Sequence, residues 1–284
     1  MRVLVIGGTG YLGQALVQSL VASGHQVSVV ARSKASISGA RLFSGDAIRM
    51  DWSEPLDDVQ AVVNVLGIIR QTPSATFEAV HVEVVARLVA AMQLKGVSRL
   101  IHISALGTRA DARAQYHQSK WRGEQRIADT EGLSYTILRP SLVFGGGSPF
   151  FRTLGQIAST PLGAMIPGNG QGLFEPVYRG DVVAMVSAAL ADEARTRGET
   201  FELGGPERLS LNDLVQHVVE VRQLGPVAFH HLPLPWLSRV ARWAQGFSAF
   251  PVTPDQLLML TEDNVTEDTR WHEWVKPTHL AKDL

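Results

Sequence analysis

The 284-residue sequence contains no cysteine, which removes disulfides, thiolate nucleophiles, Cys-bound zinc and Cys-ligated iron–sulfur clusters from consideration. Lysine is scarce: 5 of the 26 basic residues are Lys and 21 are Arg. No apolar run approaches the roughly 18 residues of a membrane-spanning helix, and the apolar stretch at residues 3–6 is too short for the core of a secretion signal. The chain is therefore expected to be cytoplasmic, neither exported nor membrane-spanning. With 45% apolar and 19% charged residues it has the composition of a folded globular protein, and its length suits one large or two smaller domains.

Acidic residues are absent from positions 1–45, which hold Arg2, Arg32, Lys34 and Arg41. The net charge of −1 hides this asymmetry: residues 1–145 carry 15 basic and 11 acidic side chains, residues 146–284 carry 11 and 16. The tail is acidic, with Glu262, Asp263, Glu267, Asp268 and Glu273 against Arg270 before Lys276. That balance argues against a nucleic-acid partner.

Short β-branched runs alternate with helical patterns in the first half, the mark of βαβ units and a parallel sheet. The pattern predicts strands at 3–6, 26–31, 47–50, 61–66, 99–103 and 134–138. Helices are predicted at 12–21, at about 75–95 and at 114–131, stopped by Gly24, Gly96 and Gly132. Six strands with helical crossovers define an α/β fold, a doubly wound parallel sheet. After residue 145 a Gly-Gly-Ser-Pro run signals an exit from the sheet. A helix at 182–190 and a strand at 200–203 suggest that the chain returns to complete the sheet over about 174–204. Residues 1–145 are thus expected to form a nucleotide-binding domain. Residues 146–173 and 205–284 should form a smaller C-terminal region for a substrate or partner. Within it, Ser210 and Asp213 form a capping-box pattern before a helix that runs to about Arg222.

Directly after the first strand stands Gly7-Gly8-Thr9-Gly10-Tyr11-Leu12-Gly13. Glycines permit a tight turn and let the backbone approach a pyrophosphate, whose charge rests on the free N–H groups of the following helix. An NAD site usually carries an acid at the end of the second strand, bonded to the ribose 2′-OH. Here that strand runs into Arg32-Ser33-Lys34, a set suited to a 2′-phosphate, so NADP(H) is favoured over NAD(H). Asp51 and Trp52, just past the predicted third strand, are candidate adenine contacts, with Asp46 as the rival. Leu66 and Gly67, after Asn64, would place a small turn beneath the cofactor.

Ser104 closes the predicted fifth strand, and Tyr116 and Lys120 share a helix face at i, i+4. A nearby ammonium stabilises a phenolate, making proton exchange with a substrate oxygen feasible near neutrality. Ser104 could hold the same oxygen while a hydride moves to or from a nicotinamide.

The Gly7-x-x-Gly10-x-x-Gly13 loop, Asp51, Ser104, Tyr116-x-x-x-Lys120 and Arg139-Pro140-Ser141 resemble the extended and atypical short-chain dehydrogenase/reductases. The runs 62–67, 102–107, 138–141 and Asp263-Asn264-Val265 are most similar to bacterial relatives of the nucleotide-binding accessory subunit of respiratory complex I. The resemblance implies a Rossmann fold, bound NADP(H), a cofactor contact near Pro140, and an active site of Ser104, Tyr116 and Lys120. It covers nearly the whole chain, with the specific motifs before residue 145. It does not imply turnover, because that branch includes cofactor-holding structural subunits. His81 departs from the pattern, standing where many relatives have Asn.

Three readings follow. The first is an NADP(H)-dependent oxidoreductase acting on a small carbonyl or alcohol. The second is a catalytically silent cofactor-binding scaffold or redox sensor, and the third a nucleotide-sugar epimerase or dehydratase. No metal site is expected, since His230-His231 has no companion at ligand spacing. Trp236, Leu237, Val240, Trp243 and Ala244 line one helical face that could contact a respiratory complex or a membrane surface. Both a monomer and a homodimer suit the pattern.

Overall fold

Buried apolar runs and their connecting helices build a seven-stranded sheet in the computed structural model, which describes residues 1–32, 37–161, 163–237, 239 and 253–280. The chain divides into two units. The first comprises Met1–Pro140, Arg179–Leu203 and Asp268–Lys276; the second comprises Ser141–Tyr178, Gly204–Glu267 and Pro277–Leu284.

Numbered along the chain, the sheet of the first unit takes β1 (Arg2–Ile6), β2 (Gln26–Ala31), β3 (Ala40–Ser44), β4 (Ala61–Asn64), β5 (Arg99–Ile103), β6 (Ser134–Pro140) and β11 (Glu199–Leu203). Their spatial order is β3-β2-β1-β4-β5-β6-β11, and every neighbouring pair is parallel. The helices of this unit are α1 (Tyr11–Ala22), α2 (Val84–Leu94), α3 (Gln115–Ala128), α5 (Arg179–Ala191) and the short α6 (Glu193–Thr196). From β1 the chain steps outward through β2 to β3, then returns on the other side of β1 as β4. Such a reversal opens a crevice at the C-terminal strand ends, where open α/β sheets bind ligands.

Strands β4 and β5 are buried along their whole length and β1 is buried from Val3 onward, which is why they read as continuous apolar runs. Leu4, Ile6, Val62 and Leu100 join Val84, Leu88 and Met92 of α2 and Ile127 of α3 in one cluster, while α1 packs on α5.

The third strand lies at Ala40–Ser44, not at 47–50. As an edge strand it pairs, among the described residues, with β2 alone, and its side chains are all partly or fully exposed. Arg41 lies over the Phe43 ring at 4.4 Å. It therefore lacks the buried run that hydrophobic patterning detects. The apolar stretch after it is a turn, opened by Asp46 Oδ1 accepting from Ile48 N–H at 3.1 Å, and Ala47 fills the core without joining the sheet. The helix expected at 75–95 divides into a wide π-type turn, Glu78–Glu83, and α2.

The second unit has its own core, with Phe144, Phe151, Phe174, Leu214 and Val218 fully buried. It is built on α4 (Pro149–Ala158) and α7 (Leu211–Val221). Among the described residues it also holds a short helix at Pro254–Met259 and three two-stranded ribbons: β7 (Val143–Phe144) with β10 (Val177–Tyr178), β8 (Ala164–Pro167) with β13 (Phe229–Leu232), and β9 (Leu173–Phe174) with β12 (Leu209–Ser210). The capping box opens α7: Ser210 Oγ accepts from Asp213 N–H at 3.1 Å and Asp213 Oδ2 from Ser210 N–H at 2.9 Å. Of the aromatic face proposed over 236–243, Trp236 is exposed, and Val240, Trp243 and Ala244 lie outside the described residues.

Candidate cofactor and active site

The glycine loop leaves β1 by a turn that only glycine makes without strain. Gly7 has φ +85° and its N–H reaches Val30 O at 3.0 Å, tying the loop to β2. Gly10 N–H then reaches back to Gly7 O at 3.0 Å. Gly13, one turn into α1, lies so close to the loop that a Cβ would fall 2.2 Å from Gly7 O. Gly8 packs under Val29, Thr9 O accepts from Gln14 Nε2 at 3.0 Å, and Tyr11, Leu12 and Gly13 form the first turn of α1. No side chain caps that helix and no acid stands in its first turn. Its positive end is thus left to a ligand.

Above this loop lies a cavity of about 340 Å³ bordered by Gly7, Thr9, Gly10, Arg32, Asp46, Leu66 and Gly67. An uncapped helix end, a cradle a side chain would fill and a guanidinium at the end of β2 fit a dinucleotide phosphate. Ser33 and Lys34 lie outside the described residues. The two candidate adenine contacts do not border the cavity. Asp51 is exposed and turned to Ser53 N–H at 2.9 Å, and Trp52 is buried in the core beside Leu56. Asp46 borders it instead, because β3 ends at Ser44, six residues before the end of the strand expected at 47–50. Pro140 ends β6, where its carbonyl accepts from Leu106 N–H at 2.9 Å, and it too is absent from the cavity wall.

Ser104 follows β5 and is buried, its Oγ 3.4 Å from Thr108 Oγ1. Lys120 reaches across from α3 and donates from Nζ to Ile103 O at 3.0 Å. Its ammonium is thereby held at the peptide that precedes Ser104. A Cβ on Gly67 would lie 3.3 Å from the same Nζ, so the ammonium also stands at the rim of the cavity. Tyr116 is packed among the rings of Phe77, His81 and His117, with centroids 5.9, 5.5 and 5.2 Å away.

The electrostatics run opposite to the expected activation of the phenol. Burial pushes Tyr116 up to about 12, with the Lys120 ammonium turned to a backbone carbonyl. Lys120 is itself pulled down to about 8 by burial, partly offset by Glu124. Burial and nearby positive charge, from Lys120 and, more strongly at His117, from Arg109, also keep three histidines neutral: His81 falls to about 2 and His117 to about 4, and His102 lies well below its ordinary value. His102 Nδ1 is 3.2 Å from Asn64 Nδ2, and Asn64 Oδ1 accepts from Leu66 N–H at 3.1 Å. Sequence reading passed over His102 and His117, whose only signal was their position beside Ser104 and Tyr116.

Arg139 is engaged by Glu124 at 2.6 Å and Glu202 at 3.3 Å, a strand-end ion pair. Arg179 lies over the Tyr11 ring at 4.8 Å. Among the described residues, no group of three or more His, Asp or Glu is arranged to hold a metal, and no helix is long and apolar enough to cross a membrane.

The fold and this crevice define a dinucleotide-binding α/β protein. Residues 7–157 match the NAD(P)H-binding family, and the chain belongs to it. It is 27% identical over 283 residues to the mitochondrial NADH dehydrogenase [ubiquinone] 1 alpha subcomplex subunit 9 of Arabidopsis thaliana, covering 93% of this chain and 69% of that protein. It is 26% identical over 225 residues to the mitochondrial NADH-ubiquinone oxidoreductase 40 kDa subunit of Neurospora crassa, covering 75% of this chain but only 58% of the relative. A 2-alkyl-3-oxoalkanoate reductase of Stenotrophomonas maltophilia is 26% identical over 250 residues, with 77% of this chain and 75% of that one covered. Among solved structures, a UDP-glucuronic acid 4-epimerase from Bacillus cereus superposes with a TM-score of 0.74 at 19% identity, covering 100% of this chain and 96% of its own. That last likeness concerns the fold. The chain is thus a member of the NAD(P)H-binding family that is similar over most of its length to mitochondrial NADH dehydrogenase subunits.

Proposed function

We propose that this chain is an NADP(H)-dependent oxidoreductase of short-chain type that reduces a small carbonyl, or oxidises the matching alcohol, at Ser104, Tyr116 and Lys120. The observation that carries this reading is the placement of the Lys120 ammonium, 3.0 Å from Ile103 O and next to Gly67. One buried cation thereby touches both the strand end that leads to Ser104 and the turn that borders the cavity. The bound nicotinamide supplies or accepts hydride. Ser104 Oγ–H hydrogen-bonds the substrate oxygen and Tyr116 Oη–H delivers its proton. Lys120 holds positive charge beside the site, and the neutral histidines add none to compete with it.

Preference for the 2′-phosphorylated cofactor rests on Arg32 at the cavity edge and on the absence of any acid before Asp46. Titration of the protein with NADPH and NADH tests it: NADPH should bind tighter, and Arg32→Ala should remove about tenfold of that margin. Tighter binding of NADH by the wild-type chain overturns the preference.

The likeness to respiratory-complex subunits and a phenol held near 12 favour a second reading, a scaffold that holds the cofactor without turnover. Tyr116→Phe separates the two. In the oxidoreductase, NADPH consumption with small ketones and aldehydes is lost while NADPH affinity stays. Under the scaffold reading, the wild-type protein binds NADPH and consumes none with the same carbonyls.

A further inference from the structure

His81 is 2% exposed, packed at the reacting groups, and unused by the chemistry above. It stands in the wide turn Glu78–Glu83, which approaches α3 closely because position 123 is glycine: a Cβ there would fall 2.1 Å from His81 O. Both ring nitrogens are committed. Nε2 accepts from Ile68 N–H at 3.2 Å, and Nδ1 lies 2.8 Å from Ser119 Oγ. The Ser119 hydroxyl in turn donates to Tyr116 O at 2.7 Å.

These partners settle the tautomer. A backbone N–H only donates, so Nε2 is the acceptor and the ring proton sits on Nδ1, pointing at Ser119. Protonating Nε2 would set a donor against a donor. The ring stacks on Phe77 at 5.4 Å and meets the Tyr116 phenol edge-on at 5.5 Å, and the charges that bear on it are those of Lys120 of α3 and His102 of β5. One side chain therefore spans from the residue after Gly67, at the cavity rim, to the Ser119 hydroxyl, which carries the link on to the backbone carbonyl of Tyr116.

We propose that His81, as the Nδ1–H tautomer, is the positioning residue that locks the cofactor-side turn at Gly67–Ile68 to the helix carrying Tyr116 and Lys120. The functional part of this inference rests on Ser104, Tyr116 and Lys120 being the reacting groups. His81 touches neither substrate nor proton in transit; it fixes the distance between the cofactor turn and the phenol.

The test combines spectroscopy of the wild-type chain with two variants of His81 and one of Tyr116. Nitrogen-15 NMR should show His81 as a neutral Nδ1–H imidazole throughout about pH 5 to 8, with the Ile68 amide protected from hydrogen exchange. An Nε2–H tautomer, a titrating ring or a freely exchanging Ile68 amide overturns the lock. His81→Ala should lose the Ile68 protection and weaken NADPH binding about tenfold, the effect of stranding a buried donor. The rate of NADPH consumption should fall with it while KM for the carbonyl stays unchanged. His81→Gln, whose carbonyl oxygen can accept from Ile68 N–H, should recover most of the affinity. If His81→Ala does not fold, the wild-type spectra and the Gln variant decide. Tyr116→Phe is run alongside: if it keeps turnover, the assignment of the reacting groups fails while the spectroscopic result on the lock stands. If it loses turnover and His81→Ala keeps wild-type affinity and rate, the positioning role fails by itself.

Discussion

The glycine loop and the β5–α3 face meet at Gly67, but they are built by opposite means. The loop works by leaving side chains out: Gly7, Gly10 and Gly13 bring the backbone close, and α1 begins without a cap or an acid. The β5–α3 face works by burying polar side chains that would be more stable in water, namely Ser104, His102, His117 and Lys120. One region should therefore fail when something is added, and the other should gain stability when something is taken away. The polar face carries an energetic penalty that a purely structural face would avoid.

The largest effect is expected at Gly13→Val. The nearest obstacle to a Cβ is backbone, Gly7 O at 2.2 Å with Gly8 Cα at 2.7 Å, so no rotamer relieves it. A loss of about 3 kcal/mol, the upper end for overpacking, should appear as a lower Tm together with loss of NADPH binding. Gly10→Ala is the control, since only Gly7 O at 3.3 Å comes near. It should keep its Tm and lose affinity, because the added methyl enters the cavity rim. If both variants lose Tm equally, the loop serves folding and not a ligand.

Lys120→Met tests the opposite face. The folded pKa of Lys120 is depressed, from 10.5 to about 8. Below pH 8 both folded and unfolded chains carry the proton, and the folded state bears the whole penalty of the buried charge. Between about pH 8 and 10.5 the folded chain releases the proton while the unfolded chain keeps it, so stability rises with pH by about 3 kcal/mol. Removing the cation should raise stability at pH 7 by about 2 kcal/mol, once about 1 kcal/mol is subtracted for the bond to Ile103 O. It should also flatten the rise and abolish NADPH consumption. Thermal melts of both proteins from pH 7 to about 10.5 check this. A methionine variant that melts lower at pH 7 would falsify the reading of Lys120 as a residue kept for function.

What could be read in advance follows the same division. The glycine loop was legible because local spacing alone produces it: β1, the Gly7, Gly10 and Gly13 spacing and α1 follow one another directly in the chain. Strands β1, β4 and β5 were legible because burial along their length favours apolar runs, and β2 and β6 because β-branched residues recur in them. Strand β3 was missed because an edge strand has no such need, and Arg41 with Phe43 covers its own face. Tyr116 and Lys120 were found by an i, i+4 pattern, but the environment that pushes the phenol up instead of down was not. That environment comes from Phe77 and His81, brought to α3 from the π-type turn and the residue before it, which helical periodicity cannot reveal.

The smallest effect reads the consequence of that missed strand directly. Asp46 and Asp51 flank the apolar stretch first expected to be a strand, and an adenine amine needs a carboxylate at the cavity wall. Asp46 borders the cavity while Asp51 is exposed and occupied with Ser53 N–H. Asp46→Ala should weaken NADPH binding by about tenfold, the worth of one charge-assisted hydrogen bond, and Asp51→Ala should leave it unchanged. Because Asp46 Oδ1 also holds the turn at Ile48 N–H, Asp46→Asn supplies the needed contrast. Asparagine keeps an acceptor for the turn but weakens the acceptor offered to an amine. An affinity loss in Asp46→Asn of the same direction as in Asp46→Ala, with Tm unchanged, assigns the effect to the ligand. Full affinity in Asp46→Asn would assign it to the turn, and an affinity loss confined to Asp51→Ala would return the adenine contact to the position first indicated by the strand pattern.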